Sequence, residues 1–170
     1  MTNHERVGKA LDLLKDGLVP FVERELKAQH AQKWFEELKA AVGPSQVSLF
    51  KDEADLPWDA ASLLAVLWGQ WHTTFRKTLG QAERTLVSEL RDVCNRWAHQ
   101  KPFSTDDTYR ALDSAFRLLT AVSAPQATDV ERMKGVLPAS VHENGGRPPY
   151  GHGREDGSWH DRDGMRRHAG

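Results

Sequence analysis

The amino-acid sequence predicts an all-α protein, in which a bundle of about five helices is followed by a C-terminal tail. Apolar residues recur every three or four positions in successive segments, which is the spacing of the buried face of a helix. No segment keeps the sustained alternation of polar and apolar residues that is typical of a strand. From about Pro138, glycine, proline, histidine and charged residues replace aliphatic ones, so too little apolar surface remains to offset the entropy of ordering. We therefore expect a helical domain over residues 1–137 and a disordered tail over residues 138–170.

The first two helices are predicted to end before residue 44. Asn3 is the predicted N-cap of the first helix, which ends near Gly17, and Pro20 begins the next helix. The apolar pattern then continues to a stop at Gly43, with a polar interruption that ends at His30. This histidine is isolated in the sequence, and we expect it to be solvated rather than functional. The predicted core positions of these helices are Val7, Ala10, Leu11, Leu14, Leu18, Phe21, Val22, Leu26, Trp34, Phe35 and Leu38.

The third helix is predicted to follow a connection over residues 44–58, which contains two prolines and shows no sustained period. Residues 47–50 are at most a short extended piece of this connection. Asp59 is the predicted N-cap, and a wide apolar face follows it. That face consists of Leu63, Leu64, Leu67, Trp68, Trp71 and Phe75. Tryptophans can stack nucleobases, but at helical spacing they are more often core residues, so we assign them to the core. An interpretation between base stacking and a core position is that part of this face packs against a second protomer.

The fourth helix is predicted over residues 81–97 and carries two faces of different chemistry. Its apolar face consists of Leu86, Leu90, Val93 and Trp97. Arg91, Asn95 and His99 are also four residues apart, and they line a different face. Capping alone can explain such a column, because arginine and histidine near a helix C-terminus oppose the negative end of the helix dipole. The spacing therefore does not decide between a cap and a functional site.

Two further helices are predicted after the fourth. Pro102 stops the fourth helix, and Ser104 with Asp107 forms a capping box in which aspartate replaces the usual glutamate. The inward positions of the fifth helix are Tyr109, Leu112, Phe116, Leu119 and Val122. Thr128 is predicted to cap a last short helix that reaches about Gly135.

The composition excludes several classes of site. The formal net charge of -1 argues against a strongly basic nucleic-acid coat, although Arg76, Lys77 and Arg84 form a candidate local patch. Cys94 is the one cysteine, so the chain forms no intramolecular disulfide and offers no all-cysteine zinc site. Four histidines fall in or near the tail: His142, His152, His160 and His168. Flexible ligands without a fixed geometry bind metal weakly, so we expect no metal and no other cofactor.

Nothing in the sequence predicts a secretory signal or a membrane anchor. The first residues lack the apolar core of a signal peptide, and no run approaches the ~18 apolar residues of a membrane span. A single cysteine is typical of a reducing compartment. We therefore expect a cytoplasmic protein with no membrane partner.

Three segments resemble one known family. The segment from Phe75 to His99, F-R-K-T-L-G-Q-A-E-R-T-L-V-S-E-L-R-D-V-C-N-R-W-A-H, is similar to the HEPN superfamily of small helical domains, many of which are RNA endonucleases. Within that superfamily it resembles the Swt-one-like branch. The segments Asn3–Leu18 and Ser104–Ser114 resemble the first helix of this branch and the helix after its motif. The resemblance covers roughly the first three quarters of the chain and implies a HEPN-type helical bundle.

The family motif departs from its usual form at one position. The signature is an arginine, a polar residue that is often asparagine, three variable residues and a histidine, which fall here on Cys94, Asn95, residues 96–98 and His99. The resemblance implies a homodimer in which the arginine and histidine of both protomers meet and cleave RNA without a metal. A ribose 2′-OH attacks the neighbouring phosphate, the histidine transfers the proton, and the guanidinium stabilises the phosphoryl oxygens. Cys94 is short and neutral, so it cannot replace the arginine.

The resemblance leaves three interpretations open. The first is an RNA-associated protein of a prokaryotic defence or toxin–antitoxin system, with a larger defence-protein module as a further partner and with catalysis impaired by Cys94. The second is an active endoribonuclease in which His99 transfers the proton, Asn95 orients the phosphate or the histidine, and Arg91 is the substitute cation. The third is a non-catalytic dimerisation or interaction module. Cys94 and His99 do not form a thiol dyad, because five residues on one helix separate them by about 140°.

Overall fold

The computed structural model describes residues 1–138, and these residues form an all-α bundle, as predicted. Its helices are α1 (Asn3–His30), α2 (Trp34–Val42), α3 (Ala60–Gly69), α4 (Gln81–Ala98), α5 (Thr105–Ala121) and α6 (Gln126–Gly135). Within residues 1–138 there is no strand, and one isolated bridge pairs Asp52 with Asp55. None of the helices in this part of the chain is both long and apolar enough to cross a bilayer. The predicted tail, apart from Pro138, lies outside the described residues.

Helix α1 is longer than the sequence predicts, because it continues through Pro20. The prediction of two helices that separate between Gly17 and Pro20 is therefore wrong. Pro20 is exposed, whereas Leu18, Phe21 and Val22 are buried on the other side of the helix. An interior proline removes one backbone hydrogen bond, and the apolar contacts that continue past it offset this loss.

The N-cap of α1 is Thr2 rather than the predicted Asn3. Thr2 Oγ1 accepts a hydrogen bond from the Glu5 N–H (3.1 Å), and Glu5 Oε2 accepts one from the Thr2 N–H (2.6 Å). These reciprocal bonds form a capping box. Asn3 instead donates from Nδ2 to the Phe103 carbonyl (3.0 Å), so it ties the start of α1 to the loop before α5.

The connection between α2 and α3 is irregular, as predicted, but it is not extended. Helix α2 stops at Gly43, whose φ of 90° lies in the left-handed region that glycine adopts without strain. Val47–Leu49 form a single 3₁₀ turn, so the predicted extended piece is wrong. Phe50 is buried, and its ring centroid lies 5.3 Å from that of Trp58. This aromatic pair anchors the connection on the bundle.

Two helix starts are capped as predicted. Asp59 Oδ1 accepts a hydrogen bond from the Ser62 N–H (2.7 Å) at the start of α3. Ser104 Oγ accepts one from the Asp107 N–H (3.0 Å) at the start of α5. Helix α6 begins at Gln126, so Thr128, its predicted N-cap, lies inside the helix.

The core lies around α1, which contacts each of the other five helices, while α4 lies between α3 and α5. The largest fully buried side chains include Leu14, Leu18, Leu26, Leu38, Leu63, Leu64, Leu67, Phe75, Leu90, Leu112 and Leu118. Helix α1 approaches α5 so closely that a Cβ atom on Gly17 would overlap a methyl group of Leu119. Helices α1, α3 and α5 all pack against α4. Only the side of α4 that faces away from them can therefore carry a functional site.

His30 is half-buried and hydrogen-bonded, so the prediction that it is solvated is wrong. Its Nε2 lies 2.9 Å from Thr74 Oγ1 and 3.1 Å from Gln70 Oε1. Gln70 Nε2 in turn donates to Glu37 Oε2 (3.2 Å). This network joins α1 and α2 to the segment that follows α3, and the local sequence around His30 gives no sign of these distant partners.

Candidate functional site

The inner face of α4 packs against the bundle. It consists of Leu86, Val87, Leu90 and Cys94, all of which are buried. The apolar stripe predicted for this helix is confirmed at Leu86 and Leu90, whereas Val93 and Trp97 are only half-buried. Cys94, which the sequence marks as a motif position, is therefore also a packing position.

The outward side of α4 carries a row of polar residues, which we call the motif face. It consists of Arg84, Ser88, Arg91, Asn95 and His99. Steps of three and four residues keep these positions in one row along the helix. Asn95 and His99 are exposed, so both are accessible to a nucleic-acid strand or to a second protein chain.

An exposed indole lies beside the motif face. Trp68 of α3 is 37% exposed, and the guanidinium carbons of Arg84 and Arg91 lie 4.7 and 5.5 Å from its ring centroid. Both distances are within the range of cation–π contacts. The assignment of Trp68 to the core is therefore wrong, whereas Trp71 and Phe75 are buried as predicted. Helix α3 is apolar nearly all round, so its sequence pattern does not indicate which tryptophan faces outward.

Cys94 and His99 lie on different sides of α4. Cys94 is 7% exposed and faces α1 and the start of α3, whereas His99 is exposed. Burial raises the pKa of the Cys94 thiol to about 12, and the negative charge of Asp59 adds to the rise. The thiol is therefore neutral at physiological pH, so it is not an activated nucleophile and does not replace a cation.

Arg91 lies away from the end of α4 that carries His99. The two residues are eight positions apart, which corresponds to about 12 Å along the helix axis. Helical side chains lean toward the helix N-terminus, and the Arg91 guanidinium accordingly lies over Trp68. Within one protomer, the structure does not bring Arg91 and His99 together.

His99 is the C-cap of α4. The Lys101 N–H donates to the Arg96 carbonyl (3.0 Å), and the Gln100 N–H donates to the Trp97 carbonyl (3.1 Å), which is the Schellman pattern. Gln100 occupies the left-handed position of this motif with a φ of 56°. The two bonds fix the backbone on the C-terminal side of His99 and leave His99 at an exposed corner of the bundle.

The start of α1 supports this corner. The rings of His4 and Trp97 stack with their centroids 5.2 Å apart and their planes at 12°. Trp97 Nε1 donates to the His4 carbonyl (3.1 Å), and His4 Nε2 lies 3.1 Å from the Trp97 carbonyl. Sequence reasoning missed His4 as a partner, because the two residues are 93 positions apart and share no local pattern.

Arg96, the arginine inside the motif, holds the loop that follows α4. Its Nη2 lies 3.0 Å from Asp107 Oδ2 and donates to the Pro102 carbonyl (3.2 Å), and its guanidinium covers the ring of Phe103 at 4.7 Å. The hydrogen bond from Arg96, followed by that from the Ser104 backbone, lowers the pKa of the Asp107 carboxyl. With these partners, Arg96 is a structural residue of the loop rather than a cation beside His99.

Residues 1–138 contain no group of three or more histidine, cysteine, aspartate and glutamate side chains that could hold a metal ion. The tail histidines considered in the sequence lie outside the described residues.

The described residues form an all-α bundle that is consistent with a HEPN-type domain, and its fourth helix ends near an exposed asparagine and histidine, four positions apart. The chain belongs to the Swt1-like HEPN family, whose sequence model matches residues 9–123. The match runs from within α1 to just beyond the end of α5, and it confirms the family resemblance seen in the sequence. Comparisons with curated proteins and with solved structures found no match.

Proposed function

We propose that this protein is an RNA-associated HEPN domain with weakened RNA cleavage, which acts as a homodimer in a prokaryotic defence or toxin–antitoxin system. The observation that carries the proposal is the end of α4. Asn95 and His99 are exposed there, while the position of the family arginine holds Cys94, a buried and neutral thiol. Family membership supports RNA as the ligand and a dimer as the working form, because HEPN domains are often RNA-associated and dimeric.

The proposed chemistry is attack of a ribose 2′-OH on the adjacent phosphate. The attack forms a 2′,3′-cyclic phosphate and breaks the bond from phosphorus to the 5′-oxygen of the next nucleotide; the 2′-OH loses a proton, and the leaving 5′-oxygen gains one. The exposed imidazole of His99 can accept and donate a proton, and Asn95, one turn away, can hydrogen-bond the phosphate or the imidazole. Negative charge develops on the phosphoryl oxygens, and loss of one donor that stabilises such charge costs about 100- to 1000-fold in rate. Cys94 supplies no such donor, so slow cleavage is expected.

A second candidate function is an active endoribonuclease that uses Arg91 as its cation. Its support is the position of Arg91 on the motif face, in the same row as His99. The separation of about 12 Å along the helix axis and the contact of Arg91 with Trp68 argue against direct cooperation within one protomer. In a homodimer whose two α4 helices run antiparallel, however, Arg91 of one chain lies toward the His99 end of the other. Cleavage by this route requires both chains.

A third candidate is a non-catalytic dimerisation or interaction module. Trp68 is exposed beside Arg84 and Arg91, and a second protein chain can cover such a surface as well as a nucleobase can. On this hypothesis, no substitution at residue 94 restores cleavage.

Cleavage of RNA in the presence of EDTA tests the main proposal. We expect little or no cleavage by the unsubstituted protein, cleavage about 100-fold faster by Cys94→Arg, and none by Cys94→Arg combined with His99→Ala. Cys94→Met is the matched control, because it lengthens the side chain without adding charge. Equal rates for Cys94→Arg and Cys94→Met would contradict the role proposed for the missing cation.

Four further measurements separate the alternatives. Strong cleavage by the unsubstituted protein that Arg91→Ala abolishes would support the second candidate. A mixture of Arg91→Ala and His99→Ala chains should then recover activity, because each mixed dimer keeps one intact pair of Arg91 and His99. If Cys94→Arg is folded and dimeric but cleaves none of a varied set of RNAs, the third candidate is favoured. The mass in solution provides the dimer test, since a composite cleft requires two chains.

A further inference from the structure

A cavity of about 220 Å³ lies between α1, the start of α3 and the end of α4, and we call it the Cys94 cleft. The buried thiol of Cys94 lies at its floor, and the half-buried rings of Trp58 and Trp97 line its walls. The exposed residues Asp12 and Asp59 lie at its rim. At about 30 Å³ per water molecule, this volume corresponds to about seven waters. The cleft therefore accommodates a small ligand or a single side chain.

The rim of the Cys94 cleft carries two carboxylates, Asp12 and Asp59, that form no ion pair within residues 1–138. Asp12 has no hydrogen bond or ion pair within residues 1–138. Asp59 Oδ1 accepts the capping hydrogen bond from the Ser62 N–H (2.7 Å), while its Oδ2 has no such partner in this part of the chain. Lys15 also lines the cleft, but its Nζ lies 3.5 Å from Asp16 Oδ1. Two carboxylates are therefore available to a bound cation.

The interior of the cleft offers little to an anion. The Cys94 thiol is 7% exposed, has no hydrogen-bond partner within residues 1–138 and remains neutral, because its pKa is raised to about 12. The N–H groups of Trp58 and Trp97 already donate to oxygens elsewhere in the bundle, at 2.9 and 3.1 Å. Indole rings without a free donor attract cations through their π-systems. The aromatic walls and the acidic rim of the cleft therefore both favour a positively charged ligand.

We infer that the Cys94 cleft binds a small organic cation of the guanidinium class, either free or as the arginine side chain of a peptide. A guanidinium is planar, forms paired hydrogen bonds with carboxylates and stacks on aromatic rings. Asp12 and Asp59 supply the acceptors, and Trp58 and Trp97 supply the aromatic surface. Residues 1–138 contain no group of three or more histidine, cysteine, aspartate and glutamate side chains that could hold a metal ion, and indole faces recognise an organic cation.

Titration of the full chain with methylguanidinium chloride, followed by calorimetry and by thermal unfolding, tests this site. We expect saturable binding with a millimolar Kd. At ten times that concentration, Tm should rise by about 3–6 °C, because the ligand binds only the folded state. The denaturing effect of the ligand is small at such concentrations. Sodium chloride at equal ionic strength provides the reference curve.

Substitution of the rim carboxylates gives the specific test. Asp59→Asn keeps the N-cap of α3, since asparagine caps helices as well as aspartate does, and Asp12→Asn lies on an exposed helix position. The double variant should raise the Kd for methylguanidinium by about tenfold or more, whereas the matched control Asp92→Asn, an exposed carboxylate of α4 outside the cleft, should leave it unchanged. Cys94→Met, which extends the side chain into the cleft, should also weaken binding.

The peptide acetyl-Gly-Arg-Gly-amide distinguishes the two sources of the cation. Tighter binding of this peptide than of methylguanidinium indicates an arginine of a protein partner, and weaker or equal binding indicates a free cation. The inference is overturned if neither ligand binds saturably, or if Asp92→Asn weakens binding as much as Asp12→Asn with Asp59→Asn. Because the assay contains no RNA, its outcome is independent of the proposed ribonuclease function.

Discussion

Position 94 faces the cleft between α1, α3 and α4 rather than the exposed row that ends in His99. The residue there has to pack, and the family motif described from the sequence expects an arginine at this position, which would also supply a charge. A thiol fulfils the first requirement, because it is small, neutral and compatible with burial. It does not fulfil the second. One residue can therefore remove the proposed chemistry and leave the helix, its caps and the exposed His99 in place.

Asp107→Asn should destabilise the bundle at neutral pH but not at low pH. The hydrogen bonds from Arg96 and then from the Ser104 backbone lower the pKa of Asp107. The ionised carboxylate therefore stabilises the fold above the pKa of the unfolded chain, about 3.9, and this contribution is lost as the pH falls through the lower pKa of the folded state. The Asp107 side chain is 39% exposed, so solvent screening limits the effect to about 0.5–1 kcal/mol. Denaturant unfolding at neutral pH and below pH ~3 measures the difference.

Asp106→Asn is the matched control for this ion pair. Asp106 is the neighbouring aspartate in the first turn of α5, is exposed, and has no ion pair within residues 1–138. It should change the free energy of unfolding by no more than a few tenths of a kcal/mol through the helix dipole. A destabilisation by Asp107→Asn that persists at low pH, or an equal effect of Asp106→Asn, would contradict the role assigned to Arg96.

Helix α1 shows, at the scale of an element, how packing overrides a local stop signal. Gly17 and Pro20 together predict a helix end, yet the helix passes through both. Gly17 is present because α5 comes close, and a Cβ atom there would overlap Leu119 and lie 3.0 Å from the Cβ atom of Ala124. Gly17 therefore allows α1 and α5 to approach each other closely, and it does not cap α1.

The steric overlap in Gly17→Ala should cost about 1–3 kcal/mol, which leaves a net destabilisation of about 0–2 kcal/mol once the helix propensity of alanine is included. This propensity favours the variant by about 1 kcal/mol. Gly69→Ala is the matched control, since a Cβ atom there would meet Ala41 at an ordinary 3.6 Å. Thermal unfolding should place Gly17→Ala several degrees below Gly69→Ala. Equal Tm values for the two variants would show that α1 and α5 are not closely packed at Gly17.

Features of the fold that depend on adjacent residues could be predicted from the sequence, and features that depend on distant partners could not. The caps at Asp59 and Ser104 are local motifs, so both helix starts are confirmed. The exposure of Trp68, by contrast, depends on which helix covers α3, and the burial of His30 depends on residues beyond position 69. The contact of His4 with the end of α4 requires the folded bundle. For the site, the sequence indicates which residues belong to the motif but not which way each side chain points.

At the scale of the whole molecule, the fold brings positively charged side chains together, which the net charge of the chain does not indicate. The chain has a formal net charge of -1, yet the guanidinium carbons of Arg84 and Arg91 lie 4.7 and 5.5 Å from the ring centroid of the exposed Trp68. Asn95 and His99 continue the same row toward the supported corner at the end of α4. Guanidinium groups bind phosphates, and an indole beside them can stack a base. If the proposed function holds, a single RNA strand runs along α4 with its scissile phosphate at the His99 end.

On this proposal, Arg84→Gln combined with Arg91→Gln should weaken binding of single-stranded RNA and reduce its dependence on salt. Two lost phosphate contacts lower the slope of log K against log salt by about 1.4, because each contact on a single strand contributes about 0.7. RNA with 2′-O-methyl groups throughout keeps binding separate from cleavage. Arg24→Gln with Arg117→Gln is the matched control, since it removes the same charge from exposed positions outside the motif face.

Trp68→Ala completes this test, because it removes a stacking surface and no charge. Loss of one base–aromatic stack should weaken RNA binding by about 1–3 kcal/mol, roughly 5- to 150-fold, with the salt slope unchanged. The arginine variants change both the affinity and the slope, so the two contributions can be separated by titration at several salt concentrations. If the control pair reduces the slope as much as the motif-face pair, and Trp68→Ala binds as the unsubstituted protein does, RNA does not lie along α4. The exposed indole is then a surface for a protein chain.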